Sequence, residues 1–213
     1  AEGFASRAGP DIAAAVEAAL AHQGVTMIRS RDPELRRYDA ETRTLTLART
    51  AAPATQVFQM LLQLALLDQD KLLEATLDFA RFQSDQARSI AKIGLANYFA
   101  GAALMPYRAF LETAQETRHD LERLADRFGA SLEQVAHRLS TLQRPGAKGI
   151  PFFFVRVVQA GTITKRHSAT TLQFARFGGA CPLWNVHRAF ETPGRWLRQL
   201  AETPDGVRYF CLA

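Results

Sequence analysis

The hydrophobic period of this chain changes once, at the Pro145-Gly146 and Gly149 cluster, and that change limits what it can fold into. Before the break, apolar residues recur at helical spacing. Ile12, Val16 and Leu20 stand at i, i+4 and i+8 in a helix over Pro10–Gln23, which Gly24 stops. Val25–Arg29 is a short strand. Leu35–Tyr38, Asp39–Arg43 and Thr44–Ala48 read as strand, turn and strand, with Thr44–Leu47 alternating at period two. Pro53 opens a helix at its first turn. Phe58, Leu61, Leu62, Ala65 and Leu66 fill so broad a face of it that the helix is central. Further helices are expected over Leu72–Phe82, Asp85–Leu104, Tyr107–Thr117, His119–Phe128 and Leu132–Leu142. Ser131 and Gln134 form a capping box for the last, and Gly129 ends the one before it.

After the break, strands are expected at Pro151–Val158, Thr162–Arg166 and Thr170–Phe177, with a turn at Ala160-Gly161. A helix follows Pro193, carried by Trp196, Leu197 and Leu200, and Val207–Leu212 is a final strand. The fold class is therefore α+β. A helical domain spans residues 1–146 and a β-rich domain residues 147–213.

The chain has 213 residues, enough to bury a substantial core, and 47% apolar with 22% charged residues excludes disordered, collagen-like and coiled-coil classes. Its longest apolar runs, Leu64–Leu67 and Pro151–Val155, fall far short of the ~20 residues of a membrane helix. Ala1–Gly9 has no apolar core of a signal peptide. The expectation is a soluble, cytoplasmic protein with no membrane partner. Lys+Arg at 26 against Asp+Glu at 21 gives a net charge of +5, and the only lysines are Lys71, Lys92, Lys148 and Lys165. Arginine's planar fork suits phosphates and carboxylates, so the excess points to an anionic partner or simply to a soluble surface.

Catalytic signals are sparse. His22, His119, His137, His167 and His187 include no i, i+4 pair, and neither a Gly-x-Ser-x-Gly element nor a phosphate loop occurs. Cys181 and Cys211 alone cannot build a zinc or iron–sulfur site. Residues 121–142 (LERLADRFGASLEQVAHRLSTL) have helix-turn-helix spacing, with Glu133, Gln134, His137 and Arg138 on the reading helix, but equally suit a helical hairpin packed on its own domain. Arg156, Lys165 and Arg166 fall on neighbouring strands, close to Phe152, Phe153, Phe154, Phe174, Phe177 and Trp184. Cations beside an apolar cavity suit a ligand with a phosphate-rich head and an apolar tail; the alternative is a phenylalanine core with a solvated charged rim.

Three runs carry a resemblance: 94–106 (GLANYFAGAALMP), 137–146 (HRLSTLQRPG) and 178–187 (GGACPLWNVH). They resemble the short-chain fatty acyl-CoA regulators, bacterial transcription factors of propionate, methylcitrate and glyoxylate-type metabolism. The resemblance implies an effector-sensing fragment that binds an acyl-CoA, carries no cofactor and is homo-oligomeric. DNA would be read by an Xre-type domain placed before Ala1 and absent from this chain. It also implies a degenerate ImmA/IrrE-like, zincin-related first domain. In active relatives a His-Glu-x-x-His motif binds zinc; here that motif falls on Leu62-Gln63-Leu64-Ala65-Leu66, and the stretch of the third ligand is Lys92-Ile93-Gly94-Leu95, which has no acid. Neither zinc binding nor peptidase activity is expected. Alternatives are a dead peptidase-like domain kept for dimerisation, or DNA binding through 121–142. The ligand site is expected at Arg156, Lys165, Arg166 and Phe177, with Trp184, Asn185 and His187 lining or bracing the pocket. Cys181 would join cysteines of a tail beyond Ala213 and would on its own be a buried thiol.

Overall fold

The computed structural model describes residues 1–31, 34–172 and 181–213. The chain divides into two compact units, Ala1–Arg138 and Leu139–Ala213.

The first unit opens with α1 (Glu2–Ala8) and α2 (Ile12–His22). The Asp11 carboxylate accepts from the Ala14 amide at 2.9 Å, satisfying one of the orphan donors at the start of α2. Three strands follow: β1 (Thr26–Ser30), β2 (Arg36–Asp39) and β3 (Thr44–Ala48). They form one sheet in the order β1-β3-β2, with β1 parallel and β2 antiparallel to β3. Met27 pairs with Leu45, Arg29 with Leu47, Arg36 with Leu47 and Tyr38 with Leu45. Cross-strand partners share a face. Arg29, Leu47 and Arg36 therefore form one row across the three strands, on the side where Leu45 and Leu47 are buried.

Helix α3 (Pro53–Asp68) begins on its proline as the sequence requires, and its six consecutive residues Met60–Ala65 are buried. Helix α4 (Asp70–Asp78) stops four residues before the expected Phe82. Helix α5 (Asp85–Leu104) is capped by the Ser84 hydroxyl, which accepts from the Ala87 amide at 3.2 Å. Ala96, Ala100 and Ala103 line its buried side, and a Cβ on Gly101 would lie 4.0 Å from the Phe58 ring of α3, so small residues let the two helices approach closely. Asp70, Glu74 and Asp78 of α4 pair with Arg88 and Lys92 of α5. These groups are solvated, so the network orients α4 more than it stabilises the fold.

Three short helices complete the unit: α6 (Tyr107–Glu116), α7 (Leu121–Phe128) and α8 (Leu132–Leu139). Arg118 and His119 have positive φ, so α7 starts at Leu121, capped by Asp120, and not at His119. Gly129 takes the left-handed conformation after α7. The capping box forms as read: the Ser131 amide donates to the Gln134 side chain at 2.7 Å and the Gln134 amide to the Ser131 hydroxyl at 3.2 Å.

The second unit contains two antiparallel hairpins and a helix. Strands β4 (Phe153–Val157) and β5 (Ile163–Ser168) turn through Gly161 at φ +82°, with a register shift at Arg156/Val157. Helix α9 (Asn185–Ala189) precedes β6 (Arg198–Glu202) and β7 (Arg208–Leu212). The Phe153 and Tyr209 rings meet edge to face at 5.8 Å and tie the two hairpins together.

Two expectations need correction. The segment after Pro193 is not a helix but strand β6. Its residues alternate exposed and half-buried, and Leu197 and Ala213 exchange both backbone hydrogen bonds at 2.8 and 3.0 Å. A distant partner strand outweighs the local helical spacing of Trp196, Leu197 and Leu200. Thr170 and Thr171 are bends and Leu172 is irregular, not strand, and the rest of the expected third strand lies outside the described residues.

Candidate functional site

The positions that would hold a metallopeptidase centre lie on α3. Leu62 is buried, Leu66 is half-buried, and neither offers a lone pair to a metal. Gln63 is 2% exposed, and its Oε1 accepts a hydrogen bond from Nη1 of Arg36 on β2. Burial lowers the Arg36 pKa from its ordinary value. Where the resemblance places a base and a divalent cation, this chain has a neutral amide facing a guanidinium. Lys92, on the stretch of the missing third ligand, is held by Asp70 at the start of α4 and by Glu74 at 2.6 Å. Those hydrogen bonds raise its pKa and keep it a cation. These side chains cannot assemble a hydrolytic zinc site.

The segment 121–142 folds as two short helices, α7 and α8, joined at Gly129, with Leu124 and Val135 buried. Arg138, the one cation expected to face DNA, is 4% exposed. Its Nε donates to the Met105 carbonyl at 3.0 Å, and its guanidinium lies 5.9 and 5.7 Å from the centroids of the Tyr98 and Tyr107 rings. Burial lowers its pKa, opposed by the two tyrosines and Glu2. The expectation that Arg138 could read DNA is thus corrected: the cation is used inside the fold.

In the second unit the β4–β5 register decides which cations meet. Arg156 pairs directly with Lys165, so both stand on the face that also carries Phe154 and His167. The Lys165 ammonium lies 5.7 Å from the Phe154 ring centroid. Arg166 pairs with Val155 and takes the opposite face, with Phe153, Val157 and Ile163. Phe177 lies outside the described residues.

Asn185 and His187 act as braces. The Asn185 amide donates to Gln199 Oε1 at 2.8 Å and its Nδ2 to the Leu197 carbonyl at 2.7 Å, while Gln199 Nε2 returns a bond to the Leu183 carbonyl at 2.8 Å. This exchange fastens α9, whose cap residue is Trp184, to the β6 strand. His187 Nε2 lies 3.0 Å from the Cys181 carbonyl, so that nitrogen carries the proton. A Cβ on Gly161 would sit 3.4 Å from His187 Cε1, so the imidazole also supports the β4–β5 turn. Cys181 is exposed, not buried as expected: its carbonyl serves Trp184 and His187 while its thiol turns outward. Cys211 is half-buried, and burial raises its thiol pKa.

Sequence reasoning missed Arg36, Gln199 and the role of His167. The alternation of β2 against Leu47 was the available signal for Arg36; nothing local marked Gln199. His167 Nδ1 shares a 2.8 Å hydrogen bond with the Ser140 hydroxyl. Its pKa is lowered, first by burial and then by the charge of Lys165. The unfolded chain takes up this proton near about 6.5, the folded chain only at lower pH. The stabilising contribution is therefore fully present above that pH and is lost as pH falls from it through the folded value. Thermal melts between pH 7.5 and 5.5 are expected to show a smaller acid-side loss in His167→Gln than in the unsubstituted chain; equal slopes would remove His167 from this window.

Two domain families match the chain. The model of the IrrE N-terminal-like domain covers residues 26–140. The C-terminal model of the short-chain fatty acyl coenzyme A regulators covers residues 141–213. A "Propionyl-CoA carboxylase regulator" of Cereibacter sphaeroides is 71% identical over 203 residues, covering 95% of this chain and 44% of that protein. The "HTH-type transcriptional regulator PrpR" of Mycobacterium tuberculosis is 50% identical over 182 residues, covering 85% of this chain and 37% of that protein. The chain thus spans less than half the length of these curated relatives. A solved "Mycobacterium tuberculosis transcriptional regulator" superimposes with a TM-score of 0.91 at 43% identity, covering 99% of this chain and 66% of that one. The first unit contains an IrrE N-terminal-like domain, and α3, where the resemblance places the zinc motif, carries leucine and glutamine there. With both matches taken together, the chain belongs to the short-chain fatty acyl-CoA regulator family.

Proposed function

We propose that this chain is the effector-sensing part of a bacterial transcriptional regulator of short-chain fatty acid metabolism and that its effector is a short-chain acyl-CoA. It is not an enzyme and needs no resident cofactor. DNA would be bound by another part of the full-length regulator. The names of the relatives support the regulatory role. The observation that carries the ligand reading is the direct pairing of Arg156 with Lys165 beside Phe154, two cations and an aromatic ring on one face of one hairpin. That arrangement suits a phosphate-bearing head joined to an apolar tail. Phe177, Trp184, Asn185 and His187 complete the proposed site, the last two by holding its supports, while Arg166, expected with them, stands on the opposite face of the hairpin and is left out of it. Native mass spectrometry with acetyl-, propionyl- and butyryl-CoA tests this. One acyl-CoA bound per chain is expected, with preference among chain lengths; no adduct with any of them contradicts the reading.

A second reading, self-association, is favoured by the β6–β7 hairpin. Its cross-strand partners Leu200 and Phe210 are 77% and 63% exposed. Light scattering that returns a monomer at micromolar concentration contradicts it.

A further inference from the structure

Arg29 and Arg36 flank Leu47 in one row on the helix-facing side of the sheet, and each donates to a glutamine of α3, Arg29 to Gln56 at 3.1 Å and Arg36 to Gln63. The two arginines then differ. Arg29 is neutralised by Glu17 of α2. Among the described residues, Arg36 has no carboxylate partner, and its one hydrogen bond is to the Gln63 amide. A guanidinium has five N–H donors and no acceptor, so four are left over. Because Arg36 can only donate, the Gln63 oxygen must face it. The Gln63 NH2 group then projects from the other arm of the amide and has no hydrogen-bond partner among the described residues. Gln63 is buried while Arg36 is only half-buried, so this set of donors is reachable from solvent. A partly desolvated cation beside an uncommitted amide lacks an anion.

We propose that Arg36 and Gln63 form an oxyanion subsite where the resemblance places the metallopeptidase motif, taking the carboxylate or phosphate group of a small ligand. Where the resemblance places a metal cation and a carboxylate base, this chain offers a fixed guanidinium and a neutral amide. The N–H donors of Arg36 not used on Gln63 suit the bidentate contact with which arginine binds oxyanions most strongly, and Gln63 Nε2 adds a neutral donor. The proposal is independent of the acyl-CoA reading of the β4–β5 hairpin.

The test is a thermal-shift and calorimetric titration of the 213-residue chain with inorganic phosphate and, separately, with propionate. Saturable stabilisation by one of them is expected, and which one distinguishes a phosphorylated from a carboxylate ligand. Arg36→Met is expected to raise the anion concentration required at least tenfold while keeping or raising the melting temperature. Gln63→Glu supplies an internal carboxylate to Arg36 and is expected to abolish the response. It keeps the cation, so it carries the test if Arg36→Met does not fold. Lys165→Ala should leave the response intact, which separates this subsite from the hairpin. Absence of a saturable response to both anions, or equal responses in Arg36→Met, Gln63→Glu and the unsubstituted chain, overturns the proposal.

Discussion

Phe110→Ala is expected to lower the unfolding free energy of the first unit by about 3–5 kcal/mol, the range for emptying a buried aromatic site. Phe110 is fully buried on α6, its ring 5.2 Å from that of Phe128 on α7. Tyr107 and Ala114 complete the buried side of α6, and none of these can follow a lost ring without backbone movement. With total stabilities of roughly 5–15 kcal/mol, such a loss removes a large share of the fold. Denaturant unfolding followed by helical circular dichroism reads it. Leu183→Ala, at an exposed position, serves as the control and should change stability by no more than about 0.5 kcal/mol.

Rebuilding the metallopeptidase motif is expected to fail. Leu62→His, Gln63→Glu and Leu66→His together should cost about 3 kcal/mol or more, because a buried leucine gives way to a polar ring without a prepared partner. Zinc would not repay that cost. The stretch 92–95 offers no carboxylate, and its lysine is engaged by Asp70 and Glu74. The Arg36 guanidinium, which faces Gln63, would pair with the carboxylate that Gln63→Glu introduces and so occupy the group meant to activate water. Thermal melts with and without equimolar zinc, together with elemental analysis, measure the outcome. A stoichiometric zinc that raises the melting temperature and brings peptide hydrolysis would contradict this account of the cleft.

Much of the first unit was legible because its signals are local. Pro53, Gly129 and the Ser131/Gln134 box act within a few residues, and each marks a helix end where it was expected. What escaped depends on partners far along the chain. Strand β6 exists because Leu197 exchanges hydrogen bonds with Ala213, and α9 is held by Gln199, 14 residues from Asn185. Arg36 and Gln63 stand 27 residues apart and meet only after the sheet has formed on α3. The candidate cations were legible as a set, but not their division between faces: the Arg156–Lys165 pair and the opposite placement of Arg166 follow from β4–β5 register. Arg138 shows the limit of motif spacing, since a helix-turn-helix pattern and a packed helical hairpin place the same residues at the same intervals.

The face of the β4–β5 hairpin that carries Arg156 and Lys165 is the proposed seat of the acyl-CoA head. Charge-assisted contacts to phosphate contribute roughly 1.5–3 kcal/mol each, so losing two should weaken binding by about a hundredfold or more. Isothermal titration of propionyl-CoA into the 213-residue chain and into the Arg156→Ala/Lys165→Ala variant measures this directly. Saturable binding by the unsubstituted chain and a loss of that size in the variant are expected, with melting temperature nearly unchanged because both positions are exposed. Equal affinities in the two proteins, or no saturable binding by the unsubstituted chain, would contradict it.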